Sequence, residues 1–318
     1  MRYIYIFIIF SFSIFLFACE KEINLNLKDP QNAVVVEGHI ENGIPPYVML
    51  TKNSAFFSNL NLNNIASYFI SGADVKIITD GDTIQLQEYN GALLQALPDS
   101  VVIPLAQQFG LNISSAADFP PIIIYTVSIA DSLFTGEFGK QYDLLIQYDG
   151  KQITSTTTIP QPVTFDSLWI EPHPNAAYAD SFFQLYGRLR EPAMQGNFYR
   201  YFTRADDEAW LVSDQSVFDD AFINGLTFKI FIPKGHGFGA QAGTNFNTSG
   251  YWNISDSVCT VKLMSIDKPH YDFWRTLEAN RSSNGNPFGS FVYVKSNVNG
   301  ALGVWGGYAS TVSSLRVF

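Results

Sequence analysis

The sequence contains few of the residues that carry metal, redox or catalytic chemistry. Its 318 residues include two cysteines and four histidines, and 15% of the chain is charged. The histidines are too dispersed for a zinc site, and no pair of neighbouring cysteines supplies one. Neither a nucleophile elbow nor the spacing of a phosphate-binding loop occurs, although residues 234–243 are rich in glycine. We therefore predict a protein that is not an enzyme and has no metal or cofactor. A hydrolase assembled from distant segments is the least favoured alternative.

Positive charge is also scarce. The chain has 19 Lys and Arg against 29 Asp and Glu, which gives a net charge of −10 at pH 7. Nucleic acids are bound through basic surfaces that neutralise phosphates, so this balance argues against a nucleic-acid partner. The same balance argues against adhesion to anionic lipid through charge. Attachment to a membrane must therefore depend on another feature of the chain.

The first residues have the layout of a secretory signal peptide. Arg2 precedes an apolar run over residues 3–17, and Ala18 comes directly before Cys19. The run is short for a membrane span, and a small residue followed by cysteine resembles a lipoprotein processing site. We predict a signal peptide over residues 1–18 and a lipoprotein anchored by acyl chains, palmitate among them, on Cys19. An ordinary cleaved signal peptide and a spanning helix are the alternatives.

Acylation of Cys19 would leave the chain with one other thiol. Cys259 then has no partner for an intramolecular disulfide. It lies in a strand-like stretch, residues 258–263, where we predict a buried structural thiol rather than a catalytic one. The polar residues 19–31 form the predicted tether between the lipid and the fold, and packed sheets must stabilise that fold.

Alternating polar and apolar residues predict a mainly β fold. In residues 33–41 the apolar side chains share one face, which places His39 on the solvent-facing side. Asp-Gly turns at residues 80–81 and 149–150 predict two hairpins. Residues 90–121 are the least regular stretch and are expected to be an insertion in the first sheet.

The segment Pro160-Gln161-Pro162 divides the chain into two predicted domains. About seven strands precede it, which is the count of an immunoglobulin-like or transthyretin-like β-sandwich over residues 32–160. Residues 163–318 are predicted to form a second β-rich, sandwich-like domain with one helix near its end. Asp267 is the predicted N-cap of that helix. The predicted apolar stripe of the helix is Phe273, Trp274 and Leu277.

Aromatic residues make up 15% of the chain and are the strongest indication of a ligand. Rings exposed on a sheet can hold a glycan or a peptide, and these are the predicted ligand classes. Core packing is the alternative explanation for most of the rings. The candidate aromatic binding face consists of Tyr199, Tyr201, Trp210, Trp252 and Trp305.

Seven short segments follow one another in an order that resembles a known family. They lie at residues 33–40, 71–75, 139–144, 157–160, 273–274, 286–290 and 303–308. Together they resemble the Bacteroidota lipoproteins catalogued as domain-of-unknown-function family 4249, and the likeness covers nearly all of the mature chain. The resemblance implies an outer-membrane lipoprotein, often encoded near TonB-dependent receptors. It supplies no catalytic residues.

These observations predict where the protein works and in what capacity. We expect a lipid-anchored binding or accessory module of the outer membrane, on the cell surface, that works with a transporter of the TonB-dependent type. The periplasmic face of the membrane is the alternative location. A structural or adhesive surface protein without a small-molecule site is the alternative function.

Overall fold

The computed structural model of the chain describes residues 33–53, 67–108, 111, 113–128, 131, 133–236, 248–283 and 292–317. The predicted signal peptide, the tether and Cys19 lie outside these residues. Within the described ranges, no helix is long and apolar enough to cross a membrane.

The described part of the chain is mainly β, as the alternating pattern predicts. Its strands are β1 (Val34–Glu41), β2 (Ile44–Lys52), β3 (Asp74–Thr79), β4 (Asp82–Asn90), β5 (Ile123–Thr126), β6 (Gln141–Tyr148), β7 (Lys151–Thr158), β8 (Phe165–Pro172), β9 (Phe182–Arg190), β10 (Phe198–Ala205), β11 (Val217–Asp219), β12 (Thr227–Ile232), β13 (Trp252–Asn253), β14 (Val258–Ile266), β15 (Val298–Asn299) and β16 (Leu302–Arg316). Its helices are α1 (Gly91–Leu94), α2 (Asp99–Gln108) and α3 (Lys268–Ser283), with a 3₁₀ turn at Ala116–Asp118.

Local sequence explains the strands and hairpins of the first half. In β1, Val34, Val36 and Ile40 are buried and face a core, as the alternation predicts. Both predicted hairpins are confirmed, because β3 pairs with β4 and β6 pairs with β7. Residues 80–81 have φ of 50° and 88°, and residues 149–150 have φ of 49° and 69°. Two positive φ angles define the tight turn that Asp-Gly favours between twisted strands.

Twelve strands form one sheet in the order β11-β10-β14-β16-β1-β2-β5-β4-β3-β6-β7-β15. Strand β16 lies between β1, with which it is parallel, and β14, with which it is antiparallel. Strands from both sides of residues 160–162 therefore belong to the same sheet, and residues 32–318 form one compact unit. The predicted division into two sandwich domains is not confirmed.

A second sheet contains β12, β9, β13 and β8. It packs on β10 and β14, and a hydrophobic core lies between them. A separate core is enclosed by the strands of the first half of the large sheet, which curls around it. The first core includes Ile40, Leu50, Ile77, Ile146 and Trp305, and the second includes Leu185, Tyr199, Trp252, Cys259 and Leu263. The prediction for Cys259 is confirmed, since the residue is fully buried and burial raises the pKa of its thiol to about 12.

Helix α3 begins where the sequence predicts. Asp267 Oδ1 accepts a hydrogen bond from the backbone N–H of His270 at 3.0 Å, so Asp267 is the N-cap. The residues of the predicted apolar stripe, Phe273, Trp274 and Leu277, are each partly buried, whereas the fully buried side chains of the helix are His270, Tyr271 and Thr276. The strands beneath the helix present polar as well as apolar groups, and the helix turns a mixed face towards them.

The irregular stretch before β5 is an ordered insertion. Helices α1 and α2 and the 3₁₀ turn pack on one another around Leu94, Val102 and Phe119. The insertion also reaches the second half of the chain, since Gln107 Nε2 donates a hydrogen bond to the carbonyl oxygen of Asp207 at 3.4 Å. It therefore spans the sheet from β2 towards the turn that follows β10.

Candidate functional site

One face of the twelve-stranded sheet carries both helical segments, and we call it the helix-covered face. Tyr47 and Met49 of β2 pack beneath the insertion that contains α2. Tyr308 of β16 and Ile266 of β14 pack beside Tyr271 of α3. Strand β1 lies between these two contacts in the sheet, and we call β1, β16 and β14 together the floor of this face.

Charged and aromatic side chains from six elements meet on this floor. They interact electrostatically with one another, although they come from positions between 37 and 308. The prediction that His39 faces solvent is wrong, since its side chain is 16% exposed. The residues opposite the core are covered by helices, which local alternation cannot reveal. We define the central cluster as Glu37, His39, Glu41, Tyr47, Arg200, Lys262, His270 and Tyr308.

Four rings of the central cluster form a continuous stack. The ring centroids of Tyr47 and His39 are 5.0 Å apart, and those of His39 and Tyr308 are 4.2 Å apart. Tyr308 meets His270 edge-on at 4.4 Å. Gly306 makes room for this arrangement, because a Cβ at that position would overlap the His270 ring. The glycine thus lets the helix place a histidine directly on the sheet.

Glu41 is a buried carboxylate with two partners. Lys262 Nζ lies 2.5 Å from its Oε1, and His39 Nε2 lies 2.7 Å from its Oε2. Burial alone would raise the pKa of the Glu41 carboxyl, but His39 and Lys262 outweigh it and lower that pKa to about 2. Burial lowers the pKa of His39 below its ordinary value, against the opposite pull of Glu41. At neutral pH a neutral His39 therefore donates its Nε2–H to an ionised Glu41.

Arg200 is a buried cation that makes no ion pair with any described residue. It is 5% exposed, its Nε donates to Ser216 Oγ at 3.3 Å, and its Nη1 donates to Tyr308 Oη at 3.0 Å. The guanidinium carbon lies 3.4 Å from the centroid of the Trp274 ring. Ser216 Oγ in turn donates to Glu278 Oε1 at 2.5 Å, so the nearest carboxylate on this side is linked to the cation through a hydroxyl and interacts with it electrostatically, without a direct ion pair. A buried charge without a direct counter-ion is costly.

Buried polar atoms without hydrogen-bond partners are concentrated on the helix-covered face. The described residues contain seven such side-chain atoms, and five of them belong to side chains on this face or on α3 above it. Buried polar groups in native proteins are almost always satisfied, so a concentration of exceptions calls for an explanation. The five atoms are Arg204 Nε, His270 Nδ1, His270 Nε2, Trp274 Nε1 and Ser310 Oγ, of which the Trp274 indole lies near Tyr308 and the His270 ring near the backbone of Gly307, so that Arg204 and Ser310 are the clearest exceptions.

Glu37 is the solvent-accessible member of the central cluster. Its side chain is exposed, whereas Glu41, four residues further along the same face of β1, is 2% exposed. No described residue forms a hydrogen bond or an ion pair with the Glu37 carboxylate. Partial loss of hydration among the surrounding protein groups raises the pKa of this carboxyl, and the positive charge of Arg200 opposes the rise. Glu37 is therefore accessible to solvent and also surrounded by protein. It marks the point at which solvent reaches the cluster.

The predicted aromatic face is distributed over the two cores. Tyr199, Tyr201 and Trp252 lie in the second core, and Trp305 lies in the first. Trp305 Nε1 donates to the carbonyl oxygen of Tyr142 at 2.9 Å, as expected of a packed core side chain. Core packing, the alternative explanation, therefore accounts for these four rings.

Trp210 is the member of that predicted set that reaches the site. Its ring lies 4.6 Å from the guanidinium carbon of Arg204 and 6.0 Å from Lys262 Nζ. Trp210 is partly buried and follows the turn that Gln107 contacts. It therefore borders the Lys262 side of the central cluster.

The remaining histidines are not part of this cluster. His236 Nε2 lies 2.8 Å from Asp214 Oδ1 at an exposed position beside residues 237–247, which are not among those described. His173 is buried next to Tyr251, with ring centroids 4.0 Å apart. Within the described ranges, no group of three or more His, Cys, Asp and Glu side chains is arranged to hold a metal ion.

The fold and this site define a mainly β protein with a polar cluster enclosed between two helical covers. A family model described as Domain of unknown function (DUF4249) matches residues 20–314. The chain belongs to this family. Comparison with curated proteins finds no match.

Sequence reasoning missed most of the central cluster. One signal was available in β1, where Glu37, His39 and Glu41 place three ionisable groups on one face. A second lay in α3, where His270, Trp274 and Glu278 recur every four residues and therefore share a helix face. Neither pattern says that the two faces meet, because that contact depends on the pairing of β16 with β1.

Proposed function

We propose that this protein is a lipid-anchored binding protein whose ligand is held at the central cluster on the helix-covered face. The observation that carries the proposal is the set of polar groups there that lack a partner or a direct counter-ion, above all Arg200, which has no ion pair with a described residue, and Glu37. A ligand between the two helical covers would give these groups hydrogen bonds and counter-charges. The stacked rings would supply apolar contact to the same ligand.

The cost of the cluster favours binding over a purely structural role. A buried unpaired charge and several unsatisfied donors reduce stability, and a structural site of the same size would be more stable with apolar residues. Functional sites are where proteins retain such arrangements. A structural or adhesive surface protein is the alternative, and it predicts that no ligand occupies the cluster.

The lipid anchor and the location belong to the same proposal. Acyl chains on Cys19 would hold the fold at the outer membrane, on the cell surface or on its periplasmic side. The accessory role proposed here is to pass a ligand to a transporter of the TonB-dependent type. Repeated purification from solubilised membranes that never recovers such a transporter would count against this partner.

The anchor can be tested by replacing the thiol. We expect the wild-type protein to partition into detergent and the Cys19→Ser variant, exported behind a signal peptide that is cleaved without acylation, to remain in the aqueous phase. Cys259→Ser is the matched control, because it removes the other thiol and should leave the lipid in place. Detergent partitioning of Cys19→Ser equal to that of the wild type would contradict lipidation of Cys19.

Binding can be tested on protein isolated from its own cells. We expect the Cys19→Ser protein, purified without denaturation, to release a small molecule on denaturation that mass spectrometry detects in stoichiometric amount. When Glu37→Gln is introduced into this protein, the amount of ligand recovered should fall. Glu137→Gln should not reduce it, because that carboxylate is 64% exposed and lies outside the cluster. Protein that carries no ligand and binds none would favour the structural alternative.

A further inference from the structure

The two unpaired charges of the central cluster have opposite sign. Arg200 is a buried guanidinium whose Nη2 donates no hydrogen bond to any described residue, and Glu37 is an accessible carboxylate that has no hydrogen-bond or ion-pair partner among those residues. The two groups face the same side of the sheet and are close enough to interact electrostatically. The other buried charges are already balanced, since Glu41 is paired with Lys262.

The geometry around Arg200 restricts what can pair with it. Trp274 lies against the guanidinium, and Phe202 lies 4.7 Å from the guanidinium carbon. Ser216 and Tyr308 accept from Nε and Nη1. A ligand must therefore approach the Nη2 edge in the plane of the guanidinium, which is the direction from which arginine binds a planar carboxylate.

Glu37 requires a ligand group of the opposite kind to the one that pairs with Arg200. Its carboxylate can only accept hydrogen bonds when it is ionised, so it selects a donor, and a cationic donor most strongly. It lies on the accessible side of the cluster and Arg200 on the buried side. A neutral sugar would give neither group a direct counter-ion, because hydroxyl groups carry no charge.

We propose that the ligand is zwitterionic, a short peptide or free amino acid whose carboxylate pairs with Arg200 and whose ammonium group pairs with Glu37. The inference rests on the proposed function and narrows its ligand from glycan or peptide to peptide. Tyr47 and His39, the partly exposed rings of the stack, would contact the body of the ligand, and the buried rings of Tyr308 and His270 support them. No bond is made or broken.

The test uses one defined pool of dipeptides and tripeptides in three forms: with free termini, with acetylated N-termini and with amidated C-termini. Cellobiose serves as a neutral sugar. Each is added to the purified, full-length mature Cys19→Ser protein. Binding is measured as the rise in unfolding temperature and, by mass spectrometry, as the peptide retained after gel filtration.

We expect the free pool to bind and the amidated pool to bind about 30-fold more weakly or worse, which is the usual effect of removing one partner of a desolvated charge pair. The acetylated pool should also bind more weakly, by a smaller factor, because Glu37 is exposed. Glu37→Gln should abolish the preference for a free over an acetylated N-terminus. Arg200→Lys should weaken the preference for a free over an amidated C-terminus. Arg188→Lys, at an exposed arginine on the four-stranded sheet, should change neither preference.

Each variant is compared with its own ligand-free unfolding temperature, so a loss of stability does not mimic a loss of binding. Because Glu37 is exposed, Glu37→Gln should fold normally. It therefore still tests the inference if Arg200→Lys folds poorly. Equal binding of capped and free pools, preference for cellobiose, or binding of no probe would overturn the inference. The proposed function would survive that result if the protein isolated from its own cells still released another ligand.

Discussion

At the scale of single residues, Glu41 shows how the central cluster couples to stability. Its carboxyl has a pKa of about 2 in the fold and an ordinary value of 4.5. A lowered pKa stabilises the folded state at pH values above 4.5, and that contribution is lost as the pH falls from 4.5 towards 2. Burial of His39 also lowers its pKa, so the neutral ring belongs to the same stable form.

We predict that Glu41→Gln lowers the free energy of unfolding by about 3 kcal/mol at pH 7. The variant loses the stabilisation that the lowered pKa of the Glu41 carboxyl represents, and Lys262 loses its counter-ion. Urea denaturation of the wild type and the variant at several pH values measures the difference. The difference should shrink below pH 4.5. Glu137→Gln should give none, and a difference for Glu41→Gln that does not change with pH would contradict the assignment.

Gly306 tests the contact between the helix and the sheet. We predict that Gly306→Ala destabilises the protein by about 1–3 kcal/mol, because the added methyl group meets the His270 ring. Adding His270→Ala should recover part of that loss, and thermal unfolding of the four proteins of this double-mutant cycle measures the coupling. Val312→Ala, at a β16 residue that is 56% exposed, is the control. Additive effects would show that the two residues are not in contact.

At the scale of elements, α3 is held in place at its first turn. Asp267 Oδ2 accepts hydrogen bonds from Thr157 Oγ1 at 2.8 Å and from the backbone N–H of Thr158 at 3.0 Å, while Oδ1 caps the helix. One carboxylate therefore joins the helix to the end of β7. The same joint positions His270 and Trp274 over the floor.

We predict that Asp267→Ala lowers the free energy of unfolding by about 2 kcal/mol, since it removes an N-cap and leaves the donors of Thr157 and Thr158 without an acceptor. It should also weaken peptide binding, because α3 carries one wall of the site. Chemical denaturation and the peptide assay measure the two effects. Asp180→Ala, in an exposed turn, is the control, and an effect no larger than that of the control would contradict the role of Asp267.

Several elements could be predicted from the sequence because their determinants are local. Alternation identifies β1, Asp-Gly turns identify two hairpins, and Asp267 identifies the start of α3. The parallel pairing of β16 with β1 joins residues more than 260 positions apart, and no local pattern specifies it. The central cluster depends on that pairing, so local alternation alone predicts a solvent-facing His39, and composition alone cannot separate Trp305 from exposed rings.

At the scale of the whole molecule, β16 is the strand that the two halves share. Residues 302–308 pair with β1, and residues 308–316 pair with β14. Trp305, from the first of these segments, is fully buried in the first core. The first half of the chain is therefore completed by a strand from the end of the second.

We predict that a fragment of residues 32–162 does not fold cooperatively, because β1 loses its parallel partner and the first core loses Trp305. Removing a buried tryptophan alone costs about 3–5 kcal/mol, a large share of the stability of a typical domain. Circular dichroism with thermal unfolding measures the outcome. A fragment with a sharp unfolding transition would support the division at Pro160-Gln161-Pro162 into an immunoglobulin-like or transthyretin-like domain and a second domain.

The most direct test of the account is a crystal structure of the protein isolated, without denaturation, from the cells that make it. We predict electron density for an organic molecule on the helix-covered face, with a carboxylate at Arg200 Nη2 and a donor at the Glu37 carboxylate. The peptide pool with free termini is also added to a second sample of the same protein. If both structures show only ordered water at the two groups, the claim that the central cluster is a binding site is contradicted.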